Sequence, residues 1–290
     1  MILIPAPDPF TFGAVVRSHG WYDLPPFAHD AGAGTLEVIA DSGRGPARLR
    51  FRAVEGGVGV ESSPALSADR LSDAATRVFS LGVDLGAFAE LAAEDADLTW
   101  AVAGGHGRFL RATSLWEDAV KMLLTTNCSW AATRGMVRRA VEAFGEGGAF
   151  PTPEAIARRR EATVDRVVRS GYRTGALLAF ARNVASGRLD LSEWESPRRE
   201  SGAIREAIIA QRGFGPYAAE GLLRLIGRHE FFAIDSWTRM KYRELHPGRG
   251  SLERSIARRY RRYGKFQGLA FWLDLTRSWH EPTAKDEFSS

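Results

Sequence analysis

The sequence has one cysteine, Cys128, in 290 residues. That excludes an intramolecular disulfide, a four-cysteine zinc site and an iron–sulfur cluster held by cysteines. Lysine is almost as scarce. Only Lys121, Lys241, Lys265 and Lys285 occur among 39 basic residues, and the other 35 are arginines. GC-rich coding is the ordinary source of such a bias. No apolar run approaches the roughly 18 residues that span a bilayer, and the N-terminus lacks a basic-then-apolar signal pattern. The six histidines are scattered, with no pair at metal-ligand spacing. These absences predict a soluble, reduced, intracellular protein with no bound metal and no membrane partner. Its expected location is the cytoplasm, and the nucleoid if the source is bacterial.

What is present is enough apolar sequence, 44%, for one large core or two smaller ones. The net charge of +4 is uninformative as a sum. Divided, residues 1–105 carry −7 and residues 106–290 carry +11. If a polyanion binds, the second part is the one to meet it. The pattern of elements changes at the same place. Segments 35–40, 47–54 and 57–62 are short, β-branched and partly alternating, with Gly-rich turns between them. Residues 10–18 read as either a strand or a short helix. A helix over 67–79 opens at a Ser67 cap. From Ser114 the spacing is helical to the end. Helices are predicted over 131–144, 163–170, 174–186, 201–211, 216–226, 235–245, 251–263 and 268–279, and one begins at Pro151-Thr-Pro-Glu154. Ser114 and Glu117 have capping-box spacing. The tail beyond Pro282 is polar and expected to fray. The fold class is therefore α+β: a sheet-containing N-terminal domain (1–105) and a mostly helical domain (106–290).

The most specific stretch is 201–237. It reads helix, then Gln211-Arg-Gly-Phe-Gly-Pro216, then helix, then an apolar run ending at Asp235. Two glycines around one apolar residue allow a sharp turn, with Phe214 tucked into the seam. Such a turn is either an ordinary helix–helix connection or a cradle whose backbone amides take a phosphate. Asp235 alone is either a helix cap or a reactive carboxylate.

The order of these features resembles the helix–hairpin–helix DNA glycosylase superfamily. The resemblance extends to Leu115-Trp-Glu-Asp-Ala-Val-Lys-Met-Leu-Leu-Thr-Thr-Asn127, Pro151-Thr-Pro-Glu154 and Gly171-Tyr-Arg173. It also covers Tyr263-Gly-Lys-Phe-Gln-Gly-Leu-Ala-Phe-Trp-Leu-Asp-Leu275. Residues 1–105 look like the extra domain of 3-methyladenine DNA glycosylase II and 8-oxoguanine glycosylase.

The resemblance implies a base-excision-repair enzyme acting on double-stranded DNA with a damaged base, and a monomer. It implies hydrolysis of an N-glycosidic bond after the base is flipped out. Asp235 would be catalytic, and Arg212, Gly213, Phe214, Gly215 and Tyr217 would form the hairpin on the DNA backbone. Asn127 would stand at the wedge position, with Tyr172 and Arg173 probing the duplex; a polar helix end and a loop pair are the plainer readings. Tyr217 stands where strand-nicking members place a lysine, which implies a monofunctional enzyme without β-lyase activity. An aromatic there matches the alkylation-repair branch and suggests an alkylated base.

Phe271 and Leu275 align where the 8-oxoguanine branch places glutamine and phenylalanine, which weighs against that substrate. Tyr217, Trp116, Trp237, Phe271 and Leu275 are the expected base-pocket residues. Trp130 and Trp272 are nearby aromatics, and core is the plainer reading of all these tryptophans. Cys128 reads as a buried small residue. The basic runs 158–160 and 254–265 are either solvated faces or phosphate contacts. No cofactor and no iron–sulfur cluster is implied; a monovalent cation on hairpin carbonyls is compatible. The competing readings are a non-catalytic, structure-selective DNA-binding protein, a scaffold for protein partners, and a glycosylase for oxidised or deaminated bases.

Overall fold

A computed structural model describes residues 1–280. The polar tail beyond Pro282 lies outside the described residues. Five strands form one antiparallel sheet: β1 (Ile2–Pro5), β2 (Phe27–Asp30), β3 (Thr35–Asp41), β4 (Pro46–Val54) and β5 (Gly57–Ser63), in the order β1-β5-β4-β3-β2. Period-2 alternation sets its two faces. In β4, Ala47, Leu49 and Phe51 point inward. Arg48 and Arg50 point outward, where Glu37 of β3 pairs with both at 2.8 and 2.6 Å. Phe51 meets Phe79 edge-on at the end of helix Ala68–Val78, whose first turn Ser67 caps.

The three expected strands form within a residue of their predicted bounds. β1 and β2 were not foreseen, because four-residue segments carry too little alternation to register. Residues 12–16 settle as a short helix, Phe12–Val16. The α+β class and the run of helices from Ser114 stand as expected. Among the described residues, no helix is long and apolar enough to cross a membrane.

Helix Leu115–Thr125 joins the two parts. Leu115 through Leu124 are all buried, including three ionisable residues. Ser114 caps this helix through the Glu117 amide. Glu117 does not complete a capping box, because its carboxylate lies 2.6 Å from the buried ammonium of Lys121. Asp118 accepts from the Trp21 indole at 2.9 Å and from the Ala112 amide at 2.8 Å. Buried carboxylates and ammonium groups need such partners to remain charged.

Packing thus crosses residue 105 repeatedly. The Trp272 indole donates to the Ser18 carbonyl, and a ring nitrogen of His19 bonds the Leu110 carbonyl. The charge asymmetry is partly spent inside the molecule. Arg259 pairs with Asp97 at 2.8 Å, Arg262 with Asp95, and the Tyr263 hydroxyl donates to Asp95. The run 254–265 therefore holds the N-terminal part with several of its members, and Tyr260 and Tyr263 are core rather than phosphate-facing. In the run 158–160, Arg159 turns back to the Ala155 carbonyl.

Candidate active site

The hairpin forms as its glycines require. Helix Ser201–Ile209 ends, Gly213 takes a φ of 88°, and helix Pro216–Leu225 begins. A Cβ at Gly213 would lie 2.6 Å from the Ala176 Cβ and 2.9 Å from Leu123 Cδ1. Glycine is needed there for both its dihedral and the close approach. Phe214 is buried in the seam, 5.0 Å from the Phe180 ring centre. Proline at the first helical position has no amide to satisfy. The first ladder bond runs from the Ala219 amide to the Gly215 carbonyl, so the amides of Tyr217 and Ala218 precede the ladder at the positive helix end. Arg212 is exposed beside them.

Asp235 ends a pinned loop. The Gly268 amide donates to the His229 carbonyl at 2.8 Å, and Gln267 Nε2 donates to the Glu230 carbonyl at 2.7 Å. A Cβ at Gly268 would run into the Phe231 carbonyl oxygen, so only glycine lets the loop lie this close. Asp235 then caps helix Ser236–Leu245 in a reciprocal capping box. Its Oδ1 accepts from the Thr238 amide at 2.8 Å and the Thr238 hydroxyl at 2.9 Å, while its own amide donates to Thr238 Oγ1 at 2.8 Å. These bonds involve Oδ1 and leave Oδ2 available. The cap reading of Asp235 is thus correct, and it leaves a carboxylate oxygen over.

Asp235 and Tyr217 line one cavity of about 530 Å³, within the range of small-ligand sites, roughly 300–1,000 Å³. Its walls are aromatic. Trp237, Trp272 and Trp279 form one cluster, with centroid separations of 5.0 to 6.1 Å. Trp130 lies against Gly20 and donates to Asp23 at 2.8 Å. Trp21 is fixed by Asp118. Polar side chains share the lining: Asp235, Arg224, His19, Thr125, Thr133, Thr238 and Arg17. Burial, and then the charge of Asp235, raise the Tyr217 hydroxyl above its usual pKa. Burial holds His19 neutral, with a pKa down at about 3.

Three expected pocket residues lie elsewhere. Trp116 is core: its indole donates to the Pro151 carbonyl and stacks on Phe180. Phe271 is fully buried among Phe232, Tyr242 and Tyr260, and Leu275 is fully buried one turn further on. Trp272, on the same helix Gln267–Thr276, does line the cavity. At about 100° per residue, Trp272 lies about 100° round the helix from Phe271 and about 60° from Leu275. Cys128 is half-buried on the cavity wall, bonded to the Leu124 carbonyl, rather than fully buried. Residues missed altogether are Arg224, Trp279, Thr133 and the segment around Trp21. That segment comes from the first part and joins the site only through contacts about a hundred residues apart.

The expected wedge residues divide. Asn127 is exposed, has a φ of 46° and donates to the Tyr172 hydroxyl at 3.3 Å. Tyr172 is 68% exposed. Arg173 is buried behind it, stacked 4.4 Å from its ring and bonded to Thr126 Oγ1 and the Thr126 carbonyl. It supports the ledge and is not itself accessible to a duplex. Asn127 lies between Thr125 and Cys128, which both line the cavity, so the ledge stands at its rim.

No family model matches the chain, and no curated protein matches it. Solved structures do. MBOgg1 bound to a low-affinity DNA ligand is 20% identical, with a TM-score of 0.75 over 94% of this chain and 93% of that one. The Clostridium acetobutylicum 8-oxoguanine glycosylase/lyase, on double-stranded DNA with cytosine opposite 8-oxoguanine, is 17% identical, with a TM-score of 0.72 over 94% and 93%. The 3-methyladenine DNA glycosylase of Archaeoglobus fulgidus is 17% identical, with a TM-score of 0.76 over 97% and 100%. The chain has the fold of the helix–hairpin–helix DNA glycosylases.

Proposed function

We propose that this protein is a monofunctional DNA glycosylase that flips a damaged base into the aromatic cavity and hydrolyses its N-glycosidic bond. The observation that carries this reading is Asp235. One oxygen caps a helix and fixes the side chain, while the carboxylate lines a cavity of base-accommodating size. Preorganised charge of this kind stabilises a cation that develops only in the transition state. As the C1′–N bond breaks, its electron pair leaves with the base and C1′ becomes positive. Water adds to C1′, and its proton passes to the Asp235 carboxylate and then to solvent.

The solved structures of this fold include glycosylases on DNA, which supports DNA as the partner. On this reading the Tyr217 amide and Arg212 take backbone phosphates, and Asn127 with Tyr172 fills the gap left by the flipped base. A monovalent cation on the hairpin carbonyls would reinforce the phosphate contact. The hydrolysis itself needs no redox group or electron sink, so no cofactor is proposed.

Monofunctionality rests on Tyr217, whose phenol cannot form a Schiff base with C1′. The aromatic walls suit a flipped damaged base by stacking, whether alkylated, oxidised or deaminated. The test is a panel of duplex oligonucleotides, each carrying one lesion, scored with and without hot alkali. The expected product is free base plus a strand that breaks only in alkali. Breakage without alkali would refute monofunctionality, and DNA binding without base release from any lesion would favour a non-catalytic binding protein.

A further inference from the structure

Arg224 is a charged cavity residue to which the proposed hydrolysis gives no role. It sits two turns into helix Pro216–Leu225 and is only 9% exposed. Its guanidinium carbon lies 3.9 Å from the Trp272 ring centre and 5.3 Å from that of Phe109. Stacking of this kind fixes the plane of the group without satisfying its hydrogen-bond donors. No carboxylate pairs with it among the described residues, and its Nε is buried without a partner. Burial lowers its pKa to about 10, opposed by Tyr217 and Asp235, so it remains a cation at neutral pH. A buried, unpaired guanidinium is costly to maintain. This one lines the cavity that also holds Tyr217 and Asp235.

We propose that Arg224 selects the substrate: it accepts an uncharged base bearing a carbonyl oxygen, as in deaminated or oxidised bases, and repels cationic alkylated purines. This rests on the glycosylase reading above. Two physical effects point the same way. A carbonyl oxygen in the cavity gives the guanidinium the acceptor it lacks, and charge-assisted hydrogen bonds are the stronger kind. A purine made cationic by alkylation would instead place like charges together in a site of low dielectric.

The leaving group matters as well. A cationic base departs neutral and needs little help. An uncharged base departs carrying the electron pair of the C1′–N bond, and Arg224 neutralises that charge until the base is protonated from solvent. Phe271 and Leu275, whose identities argued against an oxidised base, do not line the cavity and so do not bear on this choice. A narrower role is that Arg224 merely balances the charge of Asp235. That role predicts equal losses on every substrate when the arginine is removed, whereas selection predicts a split.

The test compares wild type with Arg224→Met and Arg224→Lys on two groups of duplexes. One group carries hypoxanthine, uracil or 8-oxoguanine. The other is methylated DNA containing 7-methylguanine and 3-methyladenine. Wild type is expected to release uncharged carbonyl bases faster than methylated ones. Arg224→Met should lose about 10- to 100-fold in kcat/KM on the first group, the worth of a charge-assisted bond, and should gain on the second. Arg224→Lys keeps a charge and should fall between them.

Wild-type release of methylated purines alone would overturn the selection and leave the glycosylase reading intact. Equal losses on both groups would overturn it in favour of charge balance. Release from neither group would overturn the glycosylase reading and the selection with it. If Arg224→Met does not fold, wild type and Arg224→Lys still decide, because the wild-type ranking and a shifted ranking in the lysine variant read the same property.

Discussion

Replacing Asp235 by asparagine separates its two roles, because the cap and the charge reside on different features of one side chain. The cap needs an acceptor at Oδ1, which takes the Thr238 amide at 2.8 Å and its hydroxyl at 2.9 Å. An asparagine offers the same acceptor, and the two residues are comparable N-caps. The amide of residue 235 still donates to Thr238 Oγ1. Stability should therefore change by less than about 1 kcal/mol, which for a chain of this size is a melting shift under about 4 °C.

The charge is lost completely. Removal of a preorganised charge or general base costs roughly 10²- to 10⁴-fold in rate. Asp235→Ala removes both features, and Asp235→Ser restores the cap without the charge. The three variants should share the rate loss, while only the alanine form loses about 1 kcal/mol of stability. The assay is single-turnover base release with enzyme in excess, scored by alkali cleavage, beside urea unfolding of each variant. Asp235→Asn releasing base within a few-fold of wild type would refute the catalytic role. A rate loss confined to the alanine variant would assign the whole effect to the cap.

Three further outcomes follow from the same geometry. Tyr217→Lys puts an amine on the cavity wall and should add strand nicking without alkali and a borohydride-trappable complex; absence of both would mean that position 217 does not face C1′. Gly213→Ala forces a side chain into a φ of 88° and against Ala176 and Leu123. It should cost about 2–4 kcal/mol in urea unfolding and weaken DNA binding, and a stability within about 0.5 kcal/mol of wild type would contradict the tight seam. Burial holds His19 and His229 neutral in the folded state, with pKa values near 3, against an ordinary value of 6.5. The unfolded chain takes up those protons first, so stability should fall as pH drops from about 6.5 toward 3. The slope is up to about 1.4 kcal/mol per pH unit for each histidine; stability unchanged between pH 7 and pH 5 in urea titrations would contradict their burial.

The helical half was legible because its signals are local. Gly213, Phe214, Gly215 and Pro216 specify the hairpin within four residues, and Asp235 sits where a cap and a carboxylate are both wanted. The cavity was legible only in part. Trp237 was found because it follows Asp235 by two residues. Trp116, Phe271 and Leu275 were misplaced because an aromatic or aliphatic residue on a helix gives no sign of which side its neighbours occupy. Arg224 was hidden among 35 arginines, and only burial distinguishes it from the solvated ones. Trp21 reaches the cavity through Asp118, 97 residues away, a contact no local pattern encodes. The same is true of Asp95 and Asp97, whose partners in the basic run convert an apparent binding charge into an internal tie.

The most direct test of the site is a crystal structure of the protein on a duplex containing a stable abasic-site analogue. The sugar should be turned out of the helix, with the carbon equivalent to C1′ facing Asp235 Oδ2 and the empty base position bounded by Tyr217, Trp237 and Arg224. The hairpin amide of Tyr217 should meet a backbone phosphate, and Asn127 with Tyr172 should occupy the gap in the stack. A duplex seated on another face, or an abasic sugar remote from Asp235, would contradict that arrangement.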